Sequence, residues 1–145
     1  MAKIERSINE DFDQLLSNIE NGILNSSISA TLEDASDFQS GTARCSVRIF
    51  ERYSYAGGNR VSLNITLFQN GEDPVQLSAI TAGGSQAVFF KINTLGEEAF
   101  LDKLIELLDV LLSFEDNKCT GLIAVFYGID INISSPSQQY ISSKS

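Results

Sequence analysis

Between Arg44 and Ile92 apolar side chains recur at every second position, and Gly57-Gly58-Asn59, Asn70-Gly71 with Pro74, and Gly83-Gly84-Ser85 punctuate the run. A period of two sets alternate residues on opposite faces of an extended chain, which no helix does. Short glycine-bearing breaks between such segments favour tight reversals. The middle of the chain is therefore expected to form an antiparallel meander. In its clearest strand Cys45, Val47 and Ile49 share one face, with Arg44, Ser46, Arg48, Phe50 and Arg52 on the other. In the next, Val61, Leu63, Ile65 and Leu67 point one way and Ser62, Asn64, Thr66 and Phe68 the other. Val75, Leu77 and Ala79 mark a third strand, and Val88, Phe90 and Ile92 a further one. Upstream, Ile28, Ala30 and Leu32 alternate with Ser29 and Thr31, which makes about five strands. The stretch from Glu33 to Gly41 reads as a loop, and its acids Glu33, Asp34 and Asp37 lack the spacing of an EF-hand.

Two segments change to helical spacing. Phe12, Leu15, Leu16 and Ile19 form one apolar stripe, with Ser7 and Glu10 as a capping box, Asn9 as a competing cap and Gly22 as the stop. That predicts a helix over about residues 9–21. Thr94 and Glu97 form a second capping box ahead of Phe100, Leu101, Leu104, Ile105, Leu107, Leu108, Leu111 and Leu112. A helix over about 95–113 follows, roughly 28 Å long and able to cross five strands. Asp102, Glu106 and Asp109 mark its wet side.

The expected fold is thus α+β with two layers: a meander of about five strands, with an N-terminal helix and a long C-terminal helix on one face. The apolar run Leu122–Tyr127 and the alternation of Ile129, Ile131 and Ile133 suggest an extra C-terminal strand. Residues 1–134 read as one domain and the serine-rich 135–145 as a mobile tail.

Composition narrows the chemistry. The chain has 145 residues, a net charge of −9 and no histidine. The negative field disfavours nucleic acid and anionic membranes. Without histidine there is no Ser-His-Asp, Cys-His or HExxH arrangement. Cys45 and Cys119 stand far apart without cysteine neighbours, so neither a zinc ribbon nor a redox pair is spelled. Cys45 is expected to be a small buried hydrophobe, and Cys119 to be more exposed. The opening residues MAKIERSIN hold no apolar run, and no stretch reaches 18 apolar residues, so the expectation is a cytoplasmic protein without a membrane span. Gly83-Gly84-Ser85 has neither a Walker lysine nor a dinucleotide fingerprint and reads as a turn. No cofactor, metal or catalytic set is called for, and an enzyme is the less favoured class.

The segments FERYSYAGGNRVSL (50–63) and SAITAGGSQAVFFKINTLGEEAF (78–100) resemble those of an uncharacterised family of small Firmicutes-type bacterial proteins, a domain of unknown function. The resemblance spans about residues 8–113. It implies one compact domain of bacterial, cytoplasmic origin and supplies no catalytic residue.

What remains is a surface. Arg44, Arg48 and Arg52 share one side of a strand and Arg60 follows the next turn, an array suited to carboxylate or phosphate. Phe50 and Phe68, with Asn64 between the polar positions, are expected on the same wet side. These residues suit a binding or interaction protein that pairs with itself through the sheet. The alternative is a helix-grip domain holding a small hydrophobic or anionic ligand.

Overall fold

The computed structural model describes residues 1–26, 29–54, 59–83 and 90–116. In chain order they form β1 (Ala2–Ile8), α1 (Phe12–Ser26), β2 (Thr31–Ser40), β3 (Ala43–Ser54), β4 (Asn59–Asn70), β5 (Val75–Gly83) and α2 (Phe90–Asp116). The strands make one antiparallel sheet in the order β1-β5-β4-β3-β2. From β2 to β5 each strand pairs with the next, which is the expected meander, and β1 closes the far edge. Gly41, at φ 60°, and Gly71, at φ 58°, take the left-handed conformation that the reversals after β2 and β4 require.

Both helices pack on one face of the sheet. From α1, Asp13 reaches Arg44 of β3, and from α2, Gly96 accepts from Arg52 on the same side of the same strand. Since β1 and β2 lie at opposite edges, α1 must carry the chain across the sheet. Its 15 residues measure about 22 Å, against about 19 Å between the outer strands. Phe12, Leu15, Ile19 and Ile23 from α1 and Phe100, Leu104, Leu107 and Leu108 from α2 join Leu63, Ile65, Leu67, Leu77 and Ala79 of the sheet in one core. Asp102, Glu106 and Asp109 are exposed, as the helical spacing predicts.

Several elements differ from the sequence expectation. Ser7 lies in β1, and the cap of α1 is Asp11, whose Oδ1 accepts from Gln14 N at 2.9 Å. Gly22 does not stop the helix. It is a buried contact point, where an added Cβ would stand 2.3 Å from Leu107 Cδ2. The segment from Glu33 to Ser40, expected as a loop, belongs to β2, with a bulge between Leu32 and Asp34. All ten residues of β2 are exposed, so neither face needs apolar residues and the alternation that marks a strand is absent. The fifth strand of the sheet is β1, and Val88, expected in a strand, lies outside the described residues. Phe90 and Ile92 lie within α2, which also takes in Thr94 and reaches about 40 Å in its 27 residues. Glu97, expected as a cap partner of Thr94, is buried and accepts instead from Gly83 N at 2.7 Å and from the Met1 amine. The turns at residues 55–58 and 84–85, Cys119, the expected C-terminal strand and the tail lie outside the described residues.

The helix crossing yields a first prediction. Gly22→Ala gains about 1 kcal/mol of helix propensity. Both methyls of Leu107 must move for it, and overpacking a filled site costs about 1–3 kcal/mol. A net loss of about 1 kcal/mol is expected by urea unfolding. In a Leu107→Ala background the same change should stabilise; a gain in the parent would contradict the close approach.

Candidate interaction face

Phase decides which residues of β3 meet the helices. Directly opposed residues on antiparallel strands point the same way. Ser46 pairs with Leu67, Arg48 with Ile65, Phe50 with Leu63 and Arg52 with Val61. The arginine side of β3 is therefore the side that continues the aliphatic side of β4, under the helices. This reverses the expectation that Arg44, Arg48, Phe50 and Arg52 share a wet face with Asn64 and Phe68. Phe50 is 0% exposed and Arg48 7%.

Each of these arginines is engaged within the chain. Arg44 donates to Asp13 Oδ2 at 2.9 Å and to Gln69 Oε1 at 3.3 Å, and its guanidinium lies 4.1 Å from the ring centre of Phe12. Arg48 donates through Nε to Glu20 of α1 and through its fork to both carboxylate oxygens of Asp37, at 2.9 and 3.2 Å. Ser46 Oγ also donates to Asp37, at 2.6 Å. Arg48, and then Ser46, hold the Asp37 carboxyl below its ordinary 3.8. Burial works against the charge of Arg48, but hydrogen bonds to Asp37 and Glu20 outweigh it and raise its pKa. Arg52 lies 4.6 Å from the ring centre of Phe100 and donates to Gly96 O at 3.1 Å, and burial lowers its pKa. A groove of about 370 Å³ runs beside Arg44 and Arg48, between Phe12 and Leu16 of α1 and Asp37 of β2. The arginine row thus fastens α1 and β2 to β3.

The remaining three candidates, Arg60, Asn64 and Phe68, lie on the opposite side of the sheet. There Arg60 donates to Glu51 at 3.0 Å and Thr66 Oγ1 to Asn64 at 3.4 Å. Phe68 is 45% exposed and lies opposite Cys45, which in turn lies opposite Phe38, 64% exposed on β2. Cys45 is half-buried on this side, not in the core as expected. Val47 and Ile49 are half-buried beside it, and Ile80 and Tyr53 are exposed. A shallow depression of about 370 Å³ lies next to Phe68, bordered by Thr66, Gln76, Ser78, Glu5 and Ser7. Two ion pairs lie here, Lys3 with Glu5 at 2.7 Å and Arg60 with Glu51, and Asp34 of β2 stands opposite Ile49 on the same side. Among the described residues both helices lie on the other side, so this apolar-centred face is open.

Sequence reasoning missed Phe38, Val47, Ile49 and Ile80 as members of this face. Val47 and Ile49 looked like core because alternation alone does not say which face is buried. Phe38 was hidden in the polar run of β2. Among the described residues no group of three His, Cys, Asp or Glu side chains is placed to hold a metal ion. Glu33 accepts from the Thr31 hydroxyl and Asp34 from Ala35 N, so these acids have local roles. No helix among the described residues is long and apolar enough to cross a membrane.

A family model described as a family of unknown function, DUF6054, matches residues 1–111. The chain belongs to DUF6054. The matched span takes in all five strands, α1 and most of α2, so both the arginine row under the helices and the open face lie in the DUF6054 domain. No curated protein and no solved structure matches the chain.

Proposed function

We propose that this DUF6054 chain is a non-enzymatic interaction protein that pairs with a second copy through the open face of its sheet. The observation that carries this reading is the row Phe38–Cys45–Phe68, an aromatic-rich centre on a face where Lys3 pairs with Glu5 and Arg60 with Glu51. Exposed apolar clusters rimmed by polar groups are the usual mark of a docking surface. A chain of net charge −9 repels its copy at long range. Approach through this face limits that repulsion, since Lys3 offsets Glu5 and Arg60 offsets Glu51, leaving Asp34 at the β2 edge. Two such faces stack as sheets about 10 Å apart, with their strands about 30° from aligned.

Size sets the strength. Five strands and about eight residues of strand length give roughly 600 Å² per copy, somewhat below the ~800 Å² of a standard interface. A reversible dimer at micromolar or higher concentration is expected. Sedimentation equilibrium should show it, and Phe68→Asp should weaken it at least about tenfold by placing two carboxylates in the apolar centre. A mass that neither Phe68→Asp nor Phe38→Asp changes would overturn the reading.

A further inference from the structure

A surface that pairs with its own copy must be complementary to itself after a half-turn. Across the open face, register sets Lys3 opposite Ile80, Ile80 opposite Asn64, Asn64 opposite Ile49 and Ile49 opposite Asp34. That row crosses all five strands and reads cation, isoleucine, amide, isoleucine, anion. Reversed about Asn64, each isoleucine meets an isoleucine and the lysine meets the aspartate. The amide meets itself, and an amide both donates and accepts. The Lys3 side chain is 51% exposed, and Asp34 is exposed too. Among the described residues no lysine or arginine pairs with Asp34, whose Oδ1 accepts only from Ala35 N. Relief repeats the pattern. Four residues further along β4, Ser7, Gln76, Phe68, Cys45 and Phe38 form another row. At one end of it Phe38 projects into solvent. At the other lies the depression of about 370 Å³ beside Phe68, Gln76 and Ser7. The same half-turn carries the ring to the hollow.

We propose that two copies are related by a two-fold axis along β4, the middle strand. Lys3 of each protomer then pairs with the partner's Asp34, and Phe38 of each enters the partner's depression beside Phe68. This rests on reading the face as a self-pairing surface, and adds its geometry and the residues that select a second copy as the partner. Sheets packed face to face keep their strands about 30° from aligned. An outer strand, about 10 Å from the axis, then slides by about 5 Å, within reach of a lysine side chain. A half-turn about an axis across the strands is a poorer match. With full overlap it lays Cys45 over the row of Glu51 and leaves Asp34 facing Ser36.

Sedimentation equilibrium on the full chain tests this with Lys3→Glu, Asp34→Lys and their 1:1 mixture. Alone, each variant sets two like-charged pairs into its own dimer, which should weaken about tenfold. In the mixture the introduced glutamate of one chain meets the introduced lysine of the other, and the remaining Asp34 meets the remaining Lys3. Parent-like affinity should therefore return. Asp34→Lys is the sharper arm, because it makes a chain of −9 two charges less negative. A dimer held by any other surface would tighten with that change rather than weaken. Both sites are exposed, so urea midpoints should match the parent's. If lysine at the β2 edge lowers the midpoint, Asp34→Asn reads the lost attraction alone, on the order of threefold. Variants that pair as tightly as the parent, or a mixture that pairs no better than either variant, would overturn this geometry. If Phe68→Asp still dissociates the parent dimer, the face itself stands. A parent that stays monomeric to about 1 mM defeats both.

Discussion

Phe50→Ala is expected to destabilise the domain by about 3–5 kcal/mol, while Phe68→Ala, one strand away, changes stability by less than about 1 kcal/mol. The two rings look alike in the sequence, each at the end of an alternating run. Phe50 is fully buried on the helix-covered side of the sheet, opposite Leu63, so its removal leaves a cavity in the shared core. Phe68 is 45% exposed on the other side. Guanidinium unfolding of the two variants distinguishes the faces directly. Equal losses would mean that β3 sits in the opposite phase. The pair also separates stability from association, because only Phe68 should affect the mass.

Arg48→Ala should cost about 2–3 kcal/mol. Breaking a buried ion pair by removing one partner commonly costs about 3–5 kcal/mol. Here Asp37 is 63% exposed and Glu20 30%, so both carboxylates regain water and the loss falls below that range. Arg48→Lys should recover only part of it, because one ammonium cannot reproduce a fork to Asp37 together with an Nε bond to Glu20. The contact also has a pH signature. The pKa of Asp37 is depressed in the folded chain, so its contribution is fully present above the ordinary 3.8. It is lost as pH falls from there through the depressed folded value. Unfolding midpoints followed downward from pH 5 should fall more steeply for the parent than for Arg48→Ala. Parallel curves would show that Asp37 does not rely on Arg48.

Residue by residue, legibility followed how strongly one face was forced to be apolar. In β4, Val61 to Leu67 has aliphatic residues on one side and Ser62, Asn64 and Thr66 on the other, and its inward face was assigned correctly. In β3 both faces have apolar members, Cys45, Val47 and Ile49 against Phe50 and the arginine stems. The alternation was visible and its phase was not. Arginine in an alternating strand ordinarily marks water. Here it marks the helix-covered side, because Asp13, Glu20 and Asp37, distant in sequence, supply carboxylates to Arg44 and Arg48. The edge strands β1 and β2 failed for a related reason. Each is covered on one face at most and on one side only by a neighbouring strand, so little selection for a regular apolar stripe is needed.

The sequence by itself determined the class of fold: period-two runs, glycine reversals and two helical stripes admit an antiparallel sheet with helices on one face. It also limited the chemistry, since a chain without histidine cannot assemble the common catalytic triads or an HExxH zinc site. Only the tertiary structure decided which side of that sheet is open. That choice depends on strand register and on ion pairs between α1, β2 and β3, which are long-range contacts that local periodicity cannot encode. It placed Arg44, Arg48, Phe50 and Arg52 on the helix-covered side, with Arg48 and Phe50 buried, and left Phe68, with Phe38 and Cys45, as the centre of the surface on which the proposed function rests.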